Sequence, residues 1–203
     1  MNKRKARIAV LVSGGGTNLQ ALIDAQASGI ITSGEIVLVI SNNPEAYALE
    51  RAAKAGIETV TVKRKSKDAQ TEFEAEIIQA LESRGTDLVI LAGFMSILSK
   101  DFTDRYPKRI LNVHPSLIPS FCGEGFYGLR VHRAALDYGV KVTGATVHYV
   151  NEIPDGGEII LQKAVYIEDG DTPEVLQRRV MEQAEWKILP QAAELVSRKL
   201  MEE

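Results

Sequence analysis

Apolar and polar positions in the first half of the chain fall into short continuous runs separated by longer segments of helical period. Ile8 to Val12 is a short apolar run, ended by Ser13-Gly14-Gly15-Gly16. After it Leu19, Leu22 and Ile23 recur at the spacing of one helix face, with Thr17 where an N-cap would stand. Ile36 to Ile40 is the next strand pattern, closed by the polar turn Ser41-Asn42-Asn43-Pro44; a helix is expected from about Glu45 to Ala55, stopped by Gly56. Ile57 to Val62 reads as a third strand and Asp68 to Arg84 as an amphipathic helix ending at Gly85. Leu88 to Ala92 is apolar throughout, as a strand covered on both faces should be.

Strands that alternate with helices predict an α/β fold. The expected form is an open, doubly wound, mostly parallel sheet with helices on both faces, a Rossmann variant. Ligands on such sheets sit beyond the carboxyl ends of the strands. The loops of interest are therefore Ser13 to Asn18, Gly93 to Ser99, and the stretch after Ile110.

The second half changes character. Residues 115–128 are rich in Pro, Gly, Phe and Ser and read as a long irregular loop, a feature that is usually functional or mobile. A helical pattern spans Arg130 to Leu136, Val142 to Val150 alternates like a strand, Asn151 to Gly157 is a turn, and Glu158 to Tyr166 is another strand. From Thr172 a long helical pattern begins, with a break expected at Pro190. Without repeat, low-complexity tract or linker, residues 1–203 are expected to form one domain.

Composition narrows the partners more than the fold. The 203 residues are 45% hydrophobic and 25% charged with net charge -3, as in an ordinary globular protein. Lys3-Arg4-Lys5 is too short for a nucleic-acid arm and reads as a solvated tail, so no nucleic-acid partner is expected. Cys122 is the only cysteine, which excludes an internal disulfide or a cysteine-based zinc site and fits a reducing, cytoplasmic setting. No apolar run reaches the ~18 to 20 residues of a membrane span, and no cleavable leader pattern precedes the first strand.

The candidate chemistry lies in the loops. Ser13-Gly14-Gly15-Gly16-Thr17-Asn18 joins a strand to a helix, where free N–H groups and the helix dipole attract phosphate. It is neither a Walker loop nor G-x-G-x-x-G, and Ser41-Asn42 supplies no carboxylate for a dinucleotide ribose, so a single phosphate suits it better. A tight turn that merely tolerates glycine is the other reading. Asn112 and His114, two apart at a strand end, point to one side and suit the stabilisation of an oxyanion; a polar strand end bonded to a backbone carbonyl fits the spacing equally. Asp155, in Pro154-Asp155-Gly156-Gly157, would raise the imidazole pKa if that turn folded over His114. His148 is as readily a structural histidine as a site residue, and His132 reads as structural or surface. Three scattered histidines make a weak case for a metal.

These segments resemble the folate-dependent formyltransferase family. The resemblance covers essentially the whole chain and rests on Ser13 to Asn18, Leu91-Ala92-Gly93-Phe94-Met95, Asn112-x-His114-Pro115-Ser116-Leu117 and Asp155-Gly156-Gly157. The glycine-rich first loop selects the glycinamide ribonucleotide branch. The resemblance implies formyl transfer from 10-formyltetrahydrofolate to the amine of phosphoribosyl glycinamide in purine biosynthesis, without a metal, by a monomer or homodimer. It implies Asn112, His114 and Asp155 as the catalytic trio. It also implies Gly15, Gly16, Thr17, Asn18, Glu182 and Glu185 on the nucleotide, and Gln70, Met95, Ser96, Ile97, Leu98, Asn112, Asn151, Glu152, Ile153, Pro154 and Asp155 on the folate. Residues 1–100 would then be the phosphate-binding half and 101–203 the catalytic and folate half. Ser96, and the position near Gln70, stand where the family often has arginine. A transfer-RNA formyltransferase would want a further basic domain, a formyl-folate hydrolase a regulatory one, and a sensing module could use the glycine loop without catalysis.

Overall fold

The computed structural model describes residues 4–66 and 68–202. Lys3 of the expected basic tail lies outside them; Arg4 pairs with Asp87 at 2.8 Å. Among the described residues, seven strands form one sheet: β1 (Ala6–Val12), β2 (Gly34–Ser41), β3 (Glu58–Thr61), β4 (Leu88–Leu91), β5 (Ile110–His114), β6 (Val142–Tyr149) and β7 (Ile159–Tyr166). Their order is β3-β2-β1-β4-β5-β6-β7. The first five run parallel, while β6 is antiparallel to both β5 and β7. The expected mostly parallel, doubly wound α/β sheet is therefore present, and its strand order reverses between β1 and β4. Loops after β1, β4 and β5 consequently gather at one rim, as such a switch point requires.

Two hydrophobic cores cover the sheet. Alternation along β1 decides which side chain enters which: Ile8, Val10 and Val12 face one core, Ala9 and Leu11 the other. The first core is closed by α1 (Thr17–Ala27), α2 (Tyr47–Lys54), α6 (Pro173–Val180) and α7 (Trp186–Glu202), with Leu136 of α5 (Leu129–Tyr138) packed against it. The second is closed by α3 (Gln70–Ser83) and α4 (Lys100–Arg105) through Phe73, Ile77, Leu81 and Phe102.

Three local expectations change. Thr17 is the first helical residue of α1 rather than its cap; Gly16 holds the cap position with φ 71°. A side chain there would collide, because a Cβ on Gly16 would stand 2.6 Å from that of Ala48, where α2 docks against the loop. The C-terminal helix does not break at Pro190, which lies inside α7. The irregularity comes earlier, in a π-helical turn over Met181–Glu185. Trp186, whose carbonyl the proline cannot bond, has ψ -4° and so tips that carbonyl off the helix axis. The short helix α4 was not foreseen; its only sequence signal is Ser99, whose hydroxyl accepts from the Phe102 amide at 3.2 Å.

Candidate active site

β5 brings the richest sequence segment to the rim between two partners. Asn112 lies opposite His148 of β6 and His114 opposite Thr146. Asn112, His114 and His148 therefore meet at the same edge, and the turn after β6 adds Asp155. That turn can fold close only because Gly157 has no side chain: a Cβ there would lie 1.7 Å from the Tyr149 carbonyl oxygen. Asp155 itself sits in the left-handed region with φ 55°, a conformation that is uncommon outside glycine.

The carboxylate divides its two oxygens between two groups. Oδ2 lies 3.3 Å from His114 Nδ1 and accepts the Gly123 amide at 2.9 Å. Oδ1 lies 3.4 Å from Asn112 Nδ2 and 3.6 Å from His148 Nε2. His148 Nδ1 donates to the Tyr149 carbonyl at 2.8 Å, and its Nε2 lies 3.2 Å from Asn112 Nδ2. His114 Nε2 meets the Phe121 carbonyl at 2.9 Å. The side chains of His114 and Asp155 are only 5% and 12% exposed, so these contacts act in a low dielectric.

Charge follows from burial set against partners. Burial pushes the His114 imidazole below the ordinary histidine range, aided slightly by His148, although Asp155 and the Phe121 carbonyl pull the other way. The upward pull expected from Asp155 is present but is outweighed. Burial would raise Asp155, yet the His148 hydrogen bond, the His114 ring and the Gly123 amide together hold it below the ordinary carboxyl value. His148, read from sequence as an even choice, is part of this cluster; its place opposite Asn112 was hidden until the antiparallel pairing was known. His132 is buried, and neither ring nitrogen has a hydrogen-bond partner among the described residues; burial lowers its pKa to about 4.

The glycine loop occupies the same rim. Among the described residues, nothing stands within 4 Å of where a side chain on Gly14 or Gly15 would begin, so the loop is open above, while Arg51 Nε fixes the Gly15 carbonyl at 2.8 Å. Asn18 Nδ2 donates to Glu185 Oε2 at 2.7 Å. Glu185 is buried, which pushes its carboxyl up to about 7 against the pull of Asn18. Glu182 instead faces solvent and pairs with Arg178 at 2.8 Å. On a π turn, three residues do not return to the same face.

The segment 93–99 is tied to its neighbours. The Met95 amide donates to Ser13 Oγ at 2.8 Å, and Asn42 Nδ2 to Ser96 Oγ at 2.9 Å. Gln70 reaches the Ile97 carbonyl at 3.1 Å; Met95, Ile97 and Ile153 are exposed, while Leu98 is buried. Asn151 Oδ1 accepts the Ile153 amide at 3.0 Å, closing the start of the turn through Glu152 and Pro154. A cavity of about 500 Å³ lies between α1 and α7 beside Thr17 and Arg51, and does not include the Asp155 cluster. Among the described residues, no group of three His, Cys, Asp or Glu side chains is placed to hold a metal, and no helix is long and apolar enough to cross a membrane.

An open α/β sheet with this rim defines the formyltransferase fold. The formyl transferase family model matches residues 6–193. The chain belongs to the formyl transferase family. It is 44% identical to a phosphoribosylglycinamide formyltransferase of Haemophilus influenzae over 91% of this chain and 84% of that one. It is 47% identical to the trifunctional purine biosynthetic protein adenosine-3 of Bos taurus over 96% of its own length, and spans 18% of that relative. The crystal structure of glycinamide ribonucleotide transformylase 1 from Symbiobacterium toebii superposes with a TM-score of 0.87 at 43% identity, covering 96% of this chain and 89% of that one.

Proposed function

We propose that this formyltransferase moves the formyl group of 10-formyltetrahydrofolate onto the amine of phosphoribosyl glycinamide, a step of cytoplasmic purine biosynthesis. The observation that carries the reading is the meeting of Asn112, His114 and Asp155 at the rim that also holds the open glycine loop. The nucleotide phosphate would rest on the amides of Gly15 to Asn18 at the start of α1. Glu185, held by Asn18, would face its sugar; Glu182, turned to solvent, has no part in this reading. The folate would lie against Met95 to Leu98, Gln70 and the turn Asn151 to Asp155. In that arrangement residues 1–100 supply most of the phosphate site and residues 101–203 the reacting groups.

The amine attacks the formyl carbon, and its carbonyl oxygen becomes anionic. Asn112 Nδ2 and a protonated His114 stabilise that oxygen; the new negative charge and Asp155 together favour the imidazolium that burial opposes. The carbon–N10 bond then breaks. The proton lost by the amine passes, with Asp155 as relay, to the departing folate nitrogen. No step needs a metal.

The test is donor consumption, followed by absorbance with and without phosphoribosyl glycinamide. Consumption that requires the nucleotide is the expected result. Consumption without it would make the protein a hydrolase, and none in either case would leave a binding module.

A further inference from the structure

The long loop between β5 and α5 touches the cluster at two neighbouring backbone groups. The Phe121 carbonyl receives His114 Nε2 at 2.9 Å, and the Gly123 amide donates to Asp155 Oδ2 at 2.9 Å. Two residues apart, they grip the two sides of the His114–Asp155 pair. The backbone there is unusual: Phe121 has φ 49° and Gly123 φ 88°. A non-glycine residue in that region persists only where its surroundings enforce it. The Phe121 ring supplies the enforcement through contacts with Phe126 at 6.5 Å and Tyr138 at 6.0 Å, the latter edge-on.

We infer that Phe121 is a positioning residue, whose anchored carbonyl keeps the proton of a neutral His114 on Nε2 and so reserves Nδ1, the nitrogen facing Asp155, for the reaction. The reasoning is one of donor count. A neutral imidazole has one N–H and one lone pair. The carbonyl can only accept, so it selects the Nε2–H form. When the ring gains a second proton it must arrive on Nδ1, beside Asp155 Oδ2 at 3.3 Å. If the carbonyl moved away, that selection would be lost. The proton of the neutral ring would then divide between the nitrogens, with Nδ1–H favoured by the carboxylate. The Gly123 amide keeps the same carboxylate oxygen in place. The loop therefore reads as a clip closed by an aromatic latch. This role rests on the proposed reaction for its effect on turnover, but the tautomer is observable without any reaction.

Nitrogen-15 NMR of the ring in the full chain tests it, because protonated and unprotonated imidazole nitrogens have widely separated shifts. His114 of the native chain should show Nε2 protonated and Nδ1 bare above its pKa. Phe121→Ala should shift the population toward Nδ1–H and lower kcat ~100-fold, the scale of a misplacement of about 1 Å, with KM for the nucleotide within about threefold. Phe121→Tyr, which keeps the ring contacts, should restore both. Phe126→Ala removes one latch contact while leaving position 121 itself unsubstituted; it should show the same change more weakly and serves if Phe121→Ala does not fold. An unaltered tautomer in the folded variants would overturn the inference, as would a kcat loss accompanied by no change at the ring. If the native chain turns over no donor, the ring signals alone decide the role of Phe121, while the proposed reaction fails separately.

Discussion

Two carboxylates stand at one rim, one half-buried and one fully buried, and their pKa values move in opposite directions. For both Asp155 and Glu185 the largest single influence is desolvation, which favours the neutral acid. Asp155 is surrounded by His148, His114 and the Gly123 amide, and its carboxyl falls below the usual value. Glu185 accepts from Asn18 and rises to about 7. The difference teaches that depth and partners together set the charge at each end of the site, Asp155 being half-buried among several partners and Glu185 fully buried beside Asn18. It also separates two construction methods. Side chains from β5, β6 and a glycine turn build the Asp155 cluster, whereas the glycine loop offers bare backbone and open space.

The sharpest way to break this contrast is to remove groups from each side and compare rate with affinity. Asn112→Ala or His114→Ala should lower kcat by ~100- to 1000-fold, the usual effect of losing one oxyanion donor, with nucleotide KM altered by less than about threefold. A large KM effect with unchanged kcat would merge the two regions into one binding surface.

Next in size is the pH dependence of stability. A carboxyl raised in the folded state contributes stability fully present below its unfolded pKa and lost as pH rises through the folded value. Between the ordinary 4.5 and about 7, ionisation of Glu185 should therefore remove stability. Glu185→Gln should equal the native chain near pH ~4 and exceed it by roughly 3 kcal/mol at pH ~8.5 in urea unfolding. Asp155 has the opposite sign: its contribution is present above its unfolded value of 3.8 and lost as acid carries the pH through the lower folded one. Asp155→Asn should accordingly be destabilising at neutral pH and progressively less so in acid. A flat difference for Glu185→Gln would mean that its carboxyl is not perturbed.

Gly157→Ala should come third. Its Cβ, 1.7 Å from the Tyr149 oxygen, forces the turn outward and should lower stability by ~1 to 3 kcal/mol together with kcat, as thermal unfolding and turnover would record. The smallest effect belongs to Glu182→Ala, which should leave nucleotide KM within about twofold because Glu182 faces solvent beside Arg178. A tenfold rise would place it in the nucleotide site after all.

Much of this was legible in the sequence because the signals were local. The apolar runs of β1, β2 and β4 and the helical periods between them predicted the parallel layer, and the two-residue spacing of Asn112 and His114 predicted their common direction. What escaped was set by distant neighbours. Gly16 displaced Thr17 from the cap because Ala48 packs there, and His148 joined the cluster through antiparallel pairing across β5 and β6. The π turn separated Glu182 from Glu185, and burial overrode the charge of Asp155 at His114. No periodicity within one segment carries such information.

The central claim is that the amide and the imidazole act as one device on a transient anion. Turnover of Asn112→Ala, His114→Ala and the double variant tests it most directly. The double variant should be little slower than the slower single one, since parts of one unit are strongly non-additive. Losses that multiply across the two positions, or near-native turnover in either single variant, would contradict it.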